Sequence, residues 1–89
     1  MTTVNPVTLN WANAKVFEIT ATAPYTHYLA NAPTTGQIET VKDYAGNCAT
    51  YNITVNGNLD NIDAALTKVM ATNYEALRFY YNGTRWSIF

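Results

Sequence analysis

The sequence predicts an all-β domain, and three observations carry that expectation. Apolar residues recur at period two in short segments, which is the spacing of a strand with one buried face. Clusters of Asn, Asp, Gly and Pro punctuate those segments at intervals suited to turns. Near the C-terminus, an Asn-Gly pair stands between two aromatic runs, the strongest short-range signal for a hairpin.

Taken in order, Lys15 to Thr22 sets Phe17, Ile19 and Ala21 against Glu18, Thr20 and Thr22, a half-buried strand that Pro24 interrupts. The stretch Ala30 to Gly36 contains Asn31, Pro33 and Gly36 and reads as a loop. Gln37 to Asp43 carries β-branched residues and stops at Asp43-Tyr44-Ala45-Gly46-Asn47, a turn cluster in which Asp43 is expected to bond its own backbone. The strand Ala49 to Val55 follows, with Tyr51, Ile53 and Val55 alternating, so the two segments are expected to form a hairpin. At the end, Leu77 to Tyr81 and Arg85 to Phe89 flank Asn82-Gly83-Thr84, and Leu77, Phe79 and Tyr81 are expected to meet Trp86 and Ile88.

One segment supports two readings. Ile62, Ala65, Leu66, Val69 and Met70 fall on the helical template, with Asp60 able to cap the start. Thr67, Val69, Thr72 and Asn73 are poor in helices, and two short strands, Asn61 to Ala64 and Thr67 to Met70, compete with the helix.

Length and composition set the bounds. The 89 residues suit one domain, 1–89, with 1–6 a possible N-terminal docking arm. A chain this short buries only about 60 to 65% of its unfolded surface and gains from association. Charged residues make up 12% and net charge is −1, while Thr and Asn supply 14 and 11 residues, so uncharged hydroxyls and amides form the polar surface. Lys15, Lys42, Lys68, Arg78 and Arg85 are dispersed, which disfavours nucleic acid as a partner. No segment reaches the roughly 18 consecutive apolar residues of a membrane helix, so no membrane partner is expected. Cys48 is a lone cysteine and His27 a lone histidine, which leaves an inert buried thiol as the reading of the first and no metal site around the second. Asp43, Asp60, Asp63 and Glu39 show neither calcium-loop spacing nor a paired acid for sugar hydrolysis. No catalytic residue, cofactor or metal is expected, and the chain is not read as an enzyme.

Function enters through a likeness. Val41-Lys42-Asp43-Tyr44-Ala45-Gly46-Asn47-Cys48-Ala49-Thr50, then Asn52-Ile53-Thr54-Val55 and Asn61-Ile62-Asp63, are followed by Thr72-Asn73-Tyr74-Glu75-Ala76-Leu77 and Tyr81-Asn82-Gly83-Thr84-Arg85-Trp86-Ser87-Ile88-Phe89. This order of motifs resembles a domain recurrent in structural proteins of tailed bacteriophages, found in tail fibres, tailspikes and head decorations. Ala64 and Ala65 stand where that family usually has glycines, and the first 36 residues match less well. The resemblance implies strand rather than helix over 61–72. It also implies a compact antiparallel β-sandwich or jelly-roll-like barrel, closed by the C-terminal Asn-Gly hairpin and assembled as a homotrimer. The implied role is a virion structural protein on the capsid exterior, a decoration or cement protein that binds the major capsid protein and bridges its subunits. The alternative is a tail-fibre or head-fibre domain that binds a host-surface receptor or glycan. Within the less similar segment, Trp11, Tyr25, His27 and Tyr28, bracketed by Asn10, Asn13 and Asn31, are the candidate interface residues, because aromatics beside amides anchor protein interfaces and also stack on sugar rings.

Overall fold

The structure is a computed structural model that describes residues 3–89, so Met1 and Thr2 of the expected docking arm lie outside the described residues. A 3-10 turn, Trp11–Asn13, precedes seven strands: β1 (Lys15–Ile19), β2 (Tyr25–Tyr28), β3 (Ile38–Asp43), β4 (Ile53–Asn56), β5 (Thr67–Met70), β6 (Ala76–Tyr81) and β7 (Trp86–Ile88). They form two packed sheets, β1-β3-β6-β7 and β2-β4-β5, so the all-β sandwich is the observed architecture.

The sheets are mixed, which corrects the expectation of a purely antiparallel sandwich. β1 runs parallel to β3 and β2 parallel to β4, while β3–β6, β4–β5 and β6–β7 are antiparallel. From β1 to β4 the chain changes sheet at every connection, and after two crossings it arrives beside its earlier strand pointing the same way. The hairpin expected of Gln37–Asp43 and Ala49–Val55 is likewise replaced. β3 and β4 belong to different sheets, and the intervening turn carries the chain across the sandwich, with Thr50 N and Tyr51 N donating to Asn47 O at 3.0 and 2.8 Å.

The core follows from alternation. Val41, Phe79 and Trp86 on one sheet meet Ile53, Val55 and Met70 on the other, joined by Leu29, Cys48 and Ile62 from the connections. The ambiguous segment contains strand β5 and no helix. Only Ile62 and Met70 of its five helix-spaced apolar residues are buried, whereas Leu66 and Val69 are exposed, so no single helical face exists to bury. Asn61–Asp63 runs instead along β7, with Trp86 N donating to Asn61 O at 2.9 Å and Asp63 N to Trp86 O at 2.8 Å.

β6 and β7 pair through Phe79↔Ile88, Tyr80↔Ser87 and Tyr81↔Trp86, joined by the residues 82–85. The Asn82 side-chain oxygen accepts from Thr84 N and Arg85 N, both at 2.9 Å, and Gly83 takes φ +100. Gly57 is constrained differently, since a Cβ there would overlap the Asp60 carbonyl oxygen of the tight turn that follows β4. Gly57→Ala is expected to destabilise the fold by about 2 kcal/mol or more, because backbone must move to admit the methyl. Equilibrium denaturant unfolding measures this, and an unchanged midpoint would show that the turn relaxes freely.

Candidate functional site

Successive β3 side chains alternate between the sandwich interior, which takes Glu39, Val41 and Asp43, and the outer surface, which takes Thr40 and Lys42. Thr40 is in register with Val16 on β1 and Arg78 on β6, and Phe89 N donates to Arg78 O at 2.9 Å, so these residues form a row across the outer face. The Arg78 guanidinium lies 4.0 Å from the Phe89 ring centroid and 5.4 Å from that of Trp11. Trp11 and Phe89 are 6.0 Å apart, and Tyr80 meets Phe89 edge-on at 5.0 Å. The guanidinium and the two rings thus form a triangle in which the cation touches both aromatics beside their mutual contact, an attraction that favours this arrangement. Trp11 nevertheless remains 55% exposed, an aromatic surface that is packed on one side and faces solvent on the other.

The sequence candidates are not brought together. Trp11 belongs to the outer-face cluster, while Tyr25, His27 and Tyr28 are on β2, an edge of the smaller sheet. Tyr28 is 60% exposed and points to the opposite side of β2 from Tyr25 and His27. His27 is buried against Phe17, with ring centroids 4.6 Å apart, and its Nε2 has no hydrogen-bond partner among the described residues. Burial holds its pKa below the ordinary 6.5, so the ring is neutral in the fold. Arg78, Tyr80 and Phe89, the companions of Trp11, lie 67 or more positions from it in the chain, so no local sequence signal joins them.

Both interior acids of β3 bind main chain. Glu39 accepts from Ala30 N and from the Gln37 side chain, each at 3.1 Å, and burial raises its pKa against those two hydrogen bonds. Asp43 accepts from Gly46 N at 3.1 Å and, at its other oxygen, from Cys48 N at 2.9 Å and Tyr74 N at 3.0 Å. Burial would raise the Asp43 pKa, but the hydrogen bonds, foremost those from Cys48 and Tyr74, overcome it and lower the value from 3.8 to about 2. Cys48 is buried, and its thiol donates to Thr72 O at 2.8 Å. Burial first, and then Asp43, push its pKa up, opposite to what a nucleophile needs.

Two clefts open on the surface. One, about 520 Å³, is lined by Leu59, Asp60, Asn61, Ala64, Thr84 and Arg85. The other, about 320 Å³, is lined by Asn10, Asn13, Lys15, Thr34 and Gln37, so the turn that bears Trp11 also supplies two amides to it. Gln37 is held there by Thr34 N, which donates to its Oε1 at 3.1 Å, and by its own bond to Glu39. No group of three or more His, Cys, Asp or Glu side chains placed to hold a metal ion occurs among the described residues. Comparison with protein-family models and with curated proteins finds no match for this chain.

Two pH-linked predictions follow from the buried groups. The Asp43 pKa is lower folded than unfolded, so its contribution is complete above about pH 4 and disappears as pH falls through about 2. Asp43→Asn, which turns an NH2 toward backbone donors, is expected to cost about 2 to 3 kcal/mol at neutral pH and to flatten that acid limb. Urea unfolding across the range measures both, and an unaltered acid limb would contradict the assignment. His27 is also lower folded than unfolded, but here the neutral form is favoured, so stability falls as pH drops below 6.5. His27→Leu is expected to remove that component, read from melting temperature against pH.

Proposed function

We propose that the chain is a virion structural protein, a decoration protein that seats on the outside of a tailed-phage head and bridges neighbouring capsid subunits. The motif order over residues 37–89 supports the virion setting. The observation that carries the adhesive role is the Trp11-Arg78-Phe89 cluster, because Trp and Arg are among the side chains that dominate protein interfaces. Truncating such an anchor loses its transfer from water without disturbing the core beneath. An interface of standard size buries about 800 Å² on each partner. A protein that binds two assembled subunits, and not separated ones, stabilises the shell by mass action.

The protein is then expected in purified virions at a copy number set by capsid symmetry, with particles lacking it bursting at lower temperature. Absence from virions would overturn the reading. Trp11→Ala is expected to weaken capsid attachment about 30-fold or more, equivalent to about 2 kcal/mol, while the purified variant stays folded at the assay temperature by circular dichroism. Attachment at full strength would dismiss the cluster as the anchor.

A second reading, a fibre-type domain that binds a host glycan, is favoured by the amide-lined cleft beside Trp11. Asn10 and Asn13 offer paired donors and acceptors to adjacent hydroxyls, and the exposed indole offers a stacking face. Binding of the purified protein to whole cells, lost in both Trp11→Ala and Asn13→Ala, would support it. Detection on the tail at a few copies per particle would select it over decoration.

A further inference from the structure

We propose that β2 pairs antiparallel with β2 of a second copy of this chain across a twofold axis at His27, joining the two smaller sheets into one. The outer edge of β2 presents open main-chain groups. In the parallel pair with β4, Tyr25 N donates to Asn52 O at 3.1 Å and Leu29 N to Asn56 O at 2.9 Å. Alternate residues of a parallel strand face the same neighbour, so Tyr25, His27 and Leu29 face β4, and Thr26 and Tyr28 direct their N–H and C=O groups away from it. Both are exposed.

Charge sets this edge apart, because the other free edges are guarded or covered. β1 carries Lys15 and Glu18, β5 carries Lys68, and β7 is flanked by Asn61–Asp63. Charged side chains on an edge oppose strand addition, and β2 has none. The whole run from Ile19 to Ile38 lacks Asp, Glu, Lys and Arg. Two such edges meet without like-charge repulsion and without desolvating an ion.

The edge is also its own complement, which selects a second copy as the occupant. With the axis at His27, Thr26 lies opposite Tyr28 of the second copy, and the pair exchanges both main-chain hydrogen bonds. The symmetric pair does the same, while Tyr25 lies opposite Leu29 of the second copy. Tyr28 and Thr26 then pack across the joint on the outer face, an aromatic with a β-branched residue, which is a favourable cross-strand pair. This pairing gives an isologous dimer rather than a trimer, and it is independent of the virion setting.

Light scattering on the purified chain tests it, with an expected mass of twice 9.9 kDa. Thr26→Pro removes an N–H that faces away from β4 and bonds nothing among the described residues, and is expected to halve the mass with an unchanged circular dichroism spectrum. Tyr28→Lys places a charge at both ends of the joint and is expected to do the same, which keeps the test decisive if the proline variant misfolds. Val16→Lys on the β1 edge is expected to leave the dimer intact. A monomeric wild type, a trimer, or a dimer that survives Tyr28→Lys would overturn the pairing, and each of these leaves the virion reading to its own test.

Discussion

A single buried carboxylate holds three segments of this sandwich in place. Asp43 ends β3, the strand that pairs with both β1 and β6, and its oxygens gather the N–H groups of Gly46, Cys48 and Tyr74. An ionised carboxylate out of water is costly, and backbone donors aimed at it offset that cost without a cation. The arrangement anchors the turn after β3 to the loop before β6, although Asp43 and Tyr74 are 31 positions apart. Tyr74 itself takes a positive φ of 65, a conformation that bulky residues seldom adopt, and its N–H is engaged by the carboxylate while its ring packs over Gly46. At the other end of β3, Glu39 serves a lesser version of the same role by holding the Leu29–Gln37 connection.

Much of this is legible in the sequence, and the rest is hidden either by a missing local period or by contacts between distant segments. Alternation marks β1 and β4, since a half-buried strand imprints its period on its own residues, while β-branched content marks β3 and the Asn-Gly pair after aromatic residues marks β6. The turn-forming role of Asp43 was readable because Gly46 and Cys48 are near it in the chain. β2 was not recognised as a strand, because Tyr-Thr-His-Tyr places aromatics on both faces and shows no apolar period. Pairing partners were misjudged where the nearest strand in sequence was assumed to be the neighbour, as with β3 and β4. The helical spacing of Ile62, Ala65, Leu66, Val69 and Met70 was fortuitous, because tertiary contacts with Trp86 decide that segment and local period does not.

The candidate site shows the same division. Trp11, Tyr25 and Tyr28 were singled out as aromatics among amides, and all three are exposed. The residues that pack against Trp11 come from β6 and the C-terminal residue, so only the folded register unites them. His27, the fourth interface candidate, is buried in the apolar layer against Phe17. The two external surfaces differ in kind: side-chain anchors on the larger sheet suit a shaped partner, while open main chain on β2 suits another strand.

The order in which strands alternate between layers has a consequence for biogenesis. Neither sheet can be completed from consecutive residues, and β3, central to the larger one, waits for β6 to leave the ribosome before both its sides are paired. Contacts so distant along the chain imply slow closure compared with helical domains of equal size. Until those later strands are available, residues 19–38 carry no Asp, Glu, Lys or Arg to oppose association between nascent chains. Yield from overexpression should therefore respond more to temperature and chaperone supply than the equilibrium stability of the finished domain would suggest.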